Sequence, residues 1–307
     1  MKRLLIIPIL LCLFCSCREA EENSSPSDLA KDDSLALHVA VFPTLETLPL
    51  YYAQRSGMMS EADADIRLLR YESMMDCDTA IARGHAEITF TDVARILTLW
   101  QEDSVSITPI ASTRSTFGLY SPKNKNINRI EQLKDKLTGM ERHSRSDYWS
   151  DDILKGTDLT TLDIFHVQIG STHLRYEMLM SGLIDAAFLS NPYAQLCDTA
   201  LAHCLWQQPE EALSWTVLAI PASQEGDSLR SRQAKVLVDL YEKARRRLIA
   251  RPDTALLHRI YREDFLIQER VLKRTHWYEW HPEALDTTFD AALQEARQWL
   301  TKRGKLK

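Results

Sequence analysis

The pattern of apolar and polar positions in residues 169–193 predicts a helix that runs directly into a short strand. The helical spacing ends near Gly182, and an apolar run over residues 185–189 follows it. Two polar residues, Ser190 and Asn191, come directly after that strand. One face of the helix is expected to carry Leu174, Met178, Leu179 and Leu183.

The same order of residues occurs earlier in the chain, over residues 74–94. In both stretches a helix is followed by a glycine, then an acid, a phenylalanine and a polar residue. The first set is Gly84, Glu87, Phe90 and Asp92, and the second is Gly182, Asp185, Phe188 and Ser190. Two copies of one helix–strand unit predict two similar α/β lobes. Ligands of such sheets bind beyond the carboxyl ends of the strands, which is where both polar endpoints fall.

Strands and helices alternate through residues 36–116, which predicts a mostly parallel sheet in the first lobe. The expected strands cover residues 37–42, 66–71, 87–90 and 105–112. The expected helices cover residues 44–56, 73–83 and 92–100. Thr44 and Asp92 are expected to cap the first and third of these helices.

The chain is expected to leave the first lobe at Phe117, where Gly118, Pro122 and a polar run favour a crossover over a core strand. Residues 117–214 would form the second lobe, with strands at 137–140, 165–169, 185–189 and 203–207. Residues 215–307 would return to the first lobe through a strand at 215–220 and complete it with helices at 229–250, 253–265 and 284–300. The predicted fold class is therefore α/β, with two doubly wound lobes and a ligand cleft between them.

Residues 1–16 have the features of a secretory signal, because Lys2 and Arg3 precede an apolar run over residues 4–14. That run is too short to span a bilayer, which takes about 20 residues. Its end, LFCSC, resembles a bacterial lipobox, so we expect Cys17 to be lipidated, with ordinary cleavage nearby as the alternative.

Residues 17–35 are polar and largely acidic, which predicts a solvated tether between the lipid and the lobes. The acids close to Cys17 also resemble the export tag of surface lipoproteins in the Bacteroidota. We therefore expect a lipid-anchored protein of the bacterial cell envelope, either at the periplasmic face or at the cell surface.

Net charge and cysteine count limit the classes of binding partner and the disulfide bonds that the chain can form. The net charge of −6 over 307 residues argues against a nucleic-acid partner. Beyond Cys17, the mature chain would contain Cys77, Cys197 and Cys204, an odd number that cannot all pair within one chain. A bridge between Cys197 and Cys204 is one interpretation, and free buried thiols are the preferred one.

Two segments of the chain resemble a known family. The run LHVAVFPTLETLPLYYAQRSGMMSEADADIRLLRYE, followed by AIARGHAEITFTD, resembles the first lobe of type 2 periplasmic binding proteins. The runs INRIEQLKDK and LRYEMLMSGLIDAAFLSNPYA are similar to the second lobe, and the resemblance covers residues 36–220. The branch in question binds nitrate, sulfonates, taurine and thiamine precursors. The resemblance implies that the chain delivers a small solute to an ABC permease. We expect the protein to act as a monomer.

The chain departs from that family at two places. Met58 and Met59 replace the usual aromatic residue after the glycine that ends the first helix. The loop after the strand at 137–140 reads ERHSRSD, where relatives often have small residues that cradle an anion.

Several hydroxyl residues are expected at helix N-termini, where free N–H groups and the helix dipole favour an anion. Arg114, Arg142 and Arg145 could offer a planar fork to a carboxylate, sulfonate or phosphate, and Tyr148, Trp149 and Tyr193 could stack on a flat ligand. Plain capping, solvated arginines and core aromatics are the alternatives. The candidate ligand-binding residues are Thr44, Leu45, Thr91, Asp92, Arg114, Ser144, Arg145, Ser146, Tyr148, Ser171, Thr172, Ser190, Asn191 and Tyr193.

Catalysis is not expected. The chain contains no G-x-S-x-G, H-E-x-x-H or phosphate-loop motif, and its only C-x-x-C lies in the signal. The spacing of His276, Glu279 and His281 does not put them on one helix face, so neither a metal nor a cofactor is predicted. The sequence favours a solute-binding lipoprotein that captures a small anionic or zwitterionic molecule for an ABC importer. A sensor or assembly lipoprotein of the same fold is the alternative, and an enzyme comes third.

Overall fold

The computed structural model describes residues 35–102, 105–197, 201–224 and 226–306. The predicted signal, most of the predicted tether and Cys17 lie outside these residues. Within the described ranges, no helix is both long and apolar enough to cross a membrane.

Ten strands and ten α-helices make up the described chain. The strands are β1 (Leu37–Val41), β2 (Ile66–Arg70), β3 (Ile88–Asp92), β4 (Ile107–Thr113), β5 (Phe117–Pro122), β6 (Leu137–Met140), β7 (Phe165–Gln168), β8 (Ala186–Ser190), β9 (Ala202–Gln207) and β10 (Thr216–Pro221). The helices are α1 (Leu48–Arg55), α2 (Met74–Ala82), α3 (Val93–Glu102), α4 (Arg145–Asp152), α5 (Thr172–Met180), α6 (Tyr193–Cys197), α7 (Ser228–Ala250), α8 (Thr254–Glu263), α9 (Glu269–Leu272) and α10 (Asp290–Lys302).

The strands form two five-stranded sheets of the same design, with the orders β2-β1-β3-β10-β4 and β7-β6-β8-β5-β9. In each sheet four strands run in one direction, and the fourth strand in the order, β10 or β5, is antiparallel to both neighbours. That strand is the first one formed after the chain crosses between the lobes. The predicted α/β fold with two lobes is confirmed.

Strand β5 corrects the prediction that Phe117 begins a crossover without a core strand. All six of its residues are buried, and it lies between β8 and β9 inside the second sheet. Gly118 is required there because a Cβ at this position would lie 2.9 Å from the backbone oxygen of Trp206. Pro122 is the last residue of the strand and lies beyond the residues that pair with β8, so its missing N–H removes no hydrogen bond to that strand. Of the two residues that suggest a loop, Gly118 is therefore a packing requirement of the strand and Pro122 is its last residue.

The repeated glycine–acid pattern builds the same corner in both lobes. Gly84 and Gly182 follow α2 and α5 with φ of +69° and +77°, a conformation that glycine adopts readily. The Glu87 carboxylate accepts the N–H of His38 in β1 at 2.7 Å. In the second lobe the Asp185 carboxylate accepts the N–H of Leu137 in β6 at 3.0 Å. Each acid thus ties the end of a helix to the start of the adjacent strand.

Helix α5 buries a different face from the predicted one. Leu174 is 49% exposed and Leu183, which follows the helix, is 64% exposed. The buried residues of α5 are Thr172, Arg175, Tyr176 and Leu179. The helix turns a charged residue inward because Arg175 has a buried acidic partner in another element, which hydrophobic periodicity does not detect.

The last part of the chain completes the first lobe. Helix α7 packs against α1 and α10 packs against α3. The predicted helix at 284–300 begins later, at Asp290, because Asp286 pairs instead with Ser112 at the end of β4. The Ser112 N–H donates to the Asp286 carbonyl at 2.6 Å. Cys77 and Cys197 are buried thiols as expected, whereas the Cys204 thiol is exposed.

Substitution of Asp185 by alanine is expected to destabilise the protein by about 1–2 kcal/mol, because it removes a hydrogen-bond acceptor and a charge partner. The Leu137 N–H would lose its acceptor, and Lys125 Nζ would lose a carboxylate oxygen 2.9 Å away. Urea unfolding followed by circular dichroism measures the change. The exposed Asp158→Ala in the same lobe is the control, and equal midpoints for the two variants would contradict this role of Asp185.

Candidate functional site

The two lobes meet through the loops at the carboxyl ends of their strands. The N–H of Leu45, which follows β1, donates to the carbonyl of Asn191, which follows β8, at 3.0 Å. Gly170, after β7, faces Ser73 of the first lobe so closely that a Cβ on it would lie 3.1 Å from the serine Cβ. The position of these contacts matches the site where α/β sheets bind ligands.

Arg145 makes the central contact between the lobes. Ser144 is the N-cap of α4, with an extended backbone and a hydroxyl that accepts the N–H of Ser146. Arg145 is therefore the first residue of the helix. Its N–H donates to the Asp92 carboxylate at 2.8 Å, and its Nη2 lies 2.9 Å from Oε1 of Glu46. Both carboxylates belong to the first lobe and both are buried.

Four further charged residues surround this contact. Arg95 of α3 donates to Asp78 of α2, and its Nη1 lies 3.8 Å from Oε1 of Glu141, which follows β6. Arg175 of α5 approaches the other oxygen of Glu141 at 4.0 Å. It also donates to the Ile169 carbonyl at 2.7 Å. We call the seven buried side chains together the cleft charge cluster: Glu46, Asp78, Asp92, Arg95, Glu141, Arg145 and Arg175.

Burial sets the protonation equilibria of this cluster. It raises the pKa of Glu141 to about 7, although Arg95 and Arg175 act in the opposite direction. It also raises the pKa of Asp92, which the neighbouring Arg145 partly offsets. Burial lowers the pKa of Arg175 to about 10 against the effect of Glu141. The carboxylates therefore lack some of the stabilisation that full pairing would give them.

Aromatic rings border the cluster. The Arg145 guanidinium carbon lies 4.6 Å from the centre of the Phe117 ring. Tyr148 stacks on Trp215 with ring centres 4.3 Å apart, and Trp299 of α10 packs edge-on to Tyr148 at 5.7 Å. The Trp299 indole N–H donates to Asp151 at 2.8 Å, which joins α10 to α4 of the second lobe. Since α10 packs on α3, the last helix holds the two lobes together beside the cleft.

Part of the predicted site comes together at the cluster. The Thr44 hydroxyl donates to the Glu46 carboxylate, and Leu45 contacts Asn191 through the backbone. Ser144 and Ser146 share a hydrogen bond at 2.7 Å beside Arg145 and thus lie next to Asp92 as well. Thr91 and Ser190 are buried at the carboxyl ends of the strands β3 and β8.

The remaining candidates make structural contacts within the protein, some of them at the edge of the cluster. Arg114 donates to the backbone carbonyls of Glu210 and Ala212, in the connection between β9 and β10. The Tyr193 hydroxyl donates to the Phe265 carbonyl at 2.6 Å. The ring of Tyr148 packs against the rings of Trp215 and Trp299. The Thr172 hydroxyl accepts a hydrogen bond from the Arg175 guanidinium group. The Ser171 hydroxyl caps α5 by accepting the Leu174 N–H.

The prediction that Asp92 caps α3 is wrong. Asp92 is the last residue of β3, and its two carboxylate oxygens accept the Arg145 N–H and, at 3.3 Å, the Thr216 hydroxyl. The acid is drawn across the cleft because the N-terminus of α4 offers a free N–H and a positive dipole end. This helix N-terminus was expected to hold an anionic ligand, and in the structure an anion of the chain itself occupies it.

Sequence reasoning missed five of the seven members of the cluster: Glu46, Asp78, Arg95, Glu141 and Arg175. The available signal was a charged residue in the connection after β1, another directly after β6, and others at inward positions of α2, α3 and α5. Within the part of the chain that the structure describes, no group of three or more His, Cys, Asp or Glu side chains could hold a metal ion.

Comparisons with known proteins agree on the fold. A family profile described as NMT1/THI5 like matches residues 44–203. The alkanesulfonate-binding protein SsuA from Xanthomonas axonopodis pv. citri, bound to MOPS, superposes with a TM-score of 0.72 at 12% identity, over 89% of this chain and 94% of that one. The periplasmic nitrate-binding protein NrtA from Synechocystis PCC 6803 gives 0.70 at 12% identity, over 89% and 82%. A search of curated protein sequences finds no match. At such identities the solved structures show the fold alone.

We expect Glu141 to make the protein less stable as pH rises. A carboxyl whose pKa rises on folding, here from the ordinary 4.5 to about 7, stabilises the fold fully below pH 4.5 and loses that contribution up to pH 7. The unfolding free energy should therefore fall by roughly 3 kcal/mol over this range from this group alone. Glu141→Gln should flatten the profile of urea midpoints measured from pH 4.5 to 8. The exposed Glu131→Gln is the control, and parallel profiles for wild type and Glu141→Gln would refute the assignment.

Proposed function

Because the chain belongs to the NMT1/THI5-like family, we propose that it is a solute-binding protein that captures a small molecule between its lobes and delivers it to an ABC importer. The supporting observation is the position of the cleft charge cluster. Buried charged groups of both lobes converge where the strands end. Burying such groups costs desolvation free energy, and clusters of them are typical of functional sites. Two proteins of similar structure are named for the small anions that they bind, an alkanesulfonate and nitrate.

The composition of the cluster favours a zwitterionic solute over a purely anionic one. It holds four carboxylates and three guanidinium groups, so its side chains sum to a charge of −1 when all are ionised. The Asp92 carboxylate already occupies the N-terminus of α4. A solute that carries both a positive and a negative group can replace carboxylate and guanidinium partners in the ion pairs of the cleft. We take the protein to act as a monomer without a cofactor and without catalysis.

The self-contained ion pairs of the cleft also support the alternative function, a sensor or assembly protein of the same fold. In that case the cleft would stay closed, and the protein would present its surface to a protein partner. A partner recovered by cross-linking in membranes at one copy per chain, with or without solute, would favour this function over solute capture.

Solute binding should raise the melting temperature by mass action, and a solute present at a hundred times its Kd adds about 2.7 kcal/mol of stability. Native mass spectrometry of the purified protein identifies a co-purified solute, and a thermal-shift screen of amino acids, organic anions and pyrimidines tests others. Asp92→Asn should weaken binding at least tenfold, because it removes a charge that holds the lobes together. The control is Asp158→Asn. If no compound at millimolar concentration changes the melting temperature, solute capture is refuted.

We further propose that Cys17 carries a lipid that holds the protein in the bacterial cell envelope, at the periplasmic face or at the cell surface. The Cys17→Ser protein should lose incorporation of labelled palmitate and move from the detergent phase to the aqueous phase of Triton X-114. Cys77→Ser should leave both unchanged. Retention of label by the Cys17→Ser protein would rule this anchor out. Protease treatment of intact cells distinguishes the two membrane faces.

A further inference from the structure

The Arg145 side chain occupies a subsite that is shaped for a planar cation. We propose that the solute carries such a cation, a guanidinium or an amidinium group, which replaces the Arg145 side chain on Glu46 when the lobes close over it. This inference rests on the proposed function and names the chemical class of its solute.

Glu46 provides the charge of the subsite. Its side chain is 0% exposed, and its two oxygens contact Arg145 and the hydroxyl of Thr44. A carboxylate buried to this extent requires a cation whenever the lobes are closed. The ring of Phe117, at 4.6 Å from the guanidinium carbon, provides a flat face for a planar cation. Glu46 comes from the first lobe and Phe117 from β5 of the second sheet, so the subsite is complete only when the lobes meet.

Arg145 can leave this subsite without disturbing α4. Its backbone N–H holds Asp92 independently of the side chain, and Ser144 caps the helix. The side chain is 10% exposed, so a small part of it already contacts solvent. A weakly hydrated guanidinium can therefore rotate outward while another planar cation enters.

The remaining charges disfavour an anion in the same place. An anion that drew Arg145 away would leave Glu46 buried without a cation, because Arg95 is bonded to Asp78 and Arg175 lies against Glu141. Glu141 is itself poorly satisfied. Its buried Oε1 has no hydrogen-bond partner within the described residues, and its two arginine neighbours stay 3.8 and 4.0 Å away. The cleft thus contains a second carboxylate oxygen that a donor on a cationic solute could satisfy.

The test uses methylguanidinium as a probe on the purified full-length protein. Arg145→Ala empties the subsite, so methylguanidinium at millimolar concentration should raise its melting temperature and bind at least ten times more tightly than to wild type in calorimetry. Methanesulfonate should do neither. Exposed Arg83→Ala is the control for loss of an arginine elsewhere, and it should respond like wild type.

The double variant Arg145→Ala with Glu46→Gln decides the role of Glu46. We expect it to lose the methylguanidinium response. The proposal is overturned if Arg145→Ala does not respond, if the double variant responds equally, or if methanesulfonate gives the larger shift. If Arg145→Ala does not fold, Arg145→Gln replaces it in the same comparison, since glutamine keeps the stem without the charge.

The outcome is separable from that of the proposed function. Solute capture fails if no compound binds to the wild-type protein. The present inference fails if a solute does bind and Glu46→Gln leaves its affinity unchanged, or if that solute carries no cation. A cation-bearing solute whose affinity falls at least tenfold in Glu46→Gln supports both.

Discussion

A carboxylate as deeply buried as that of Glu46 needs a cation, and the cation comes from the opposite lobe. This requirement connects the two halves of the molecule, because the contact exists only while the lobes are together. The N–H of Arg145 adds a second link to Asp92, where the helix dipole of α4 favours a negative charge. One residue therefore joins the lobes through both its backbone and its side chain. Separation of the lobes would break the two links together and expose both acids to water.

The design of each lobe explains why these groups meet. Glu87 and Asp185 close equivalent corners, so that each central strand starts beside its neighbour and both end at the cleft. The antiparallel strands β10 and β5 then bring the chain into each sheet beside β3 and β8. Because both lobes present the carboxyl ends of parallel strands, polar residues of two separate sheets face a single interface. The repeat thus provides the walls of the cleft, while the individual charged residues provide its chemistry.

The sequence pattern predicted the two lobes because local signals repeat there: a helix, a left-handed glycine, an acid and a buried strand. It did not predict β5, since Gly118 and Pro122 are typical of loops and their packing partners lie far away in the chain. Nor did it predict that Arg175 points inward, because a hydrophobic pattern treats every charge as solvated, and its partner Glu141 belongs to another element. Asp92 and Arg145 were both predicted as ligand contacts, and the structure shows them bonded to each other. Residue type and position could be inferred for them, but the pairing depends on three-dimensional convergence.

This pairing changes what a solute must accomplish. If the cleft were empty and polar, any well-matched ligand could close it. Here the closed form is already stabilised by the chain's own contacts, and a ligand shifts the equilibrium only by the difference between its interactions with the closed and open forms. A solute that fails to replace the contacts it displaces would leave a buried charge and favour the open form. Under the proposed function, selectivity would follow from substitution: the solute would have to reproduce the charge, and in the Phe117 subsite the planarity, of the side chain it removes. An anionic ligand at the N-terminus of α4 would have to displace the Asp92 carboxylate. The fold already holds Asp92 beside this N-terminus, so Asp92 loses little entropy when it binds there.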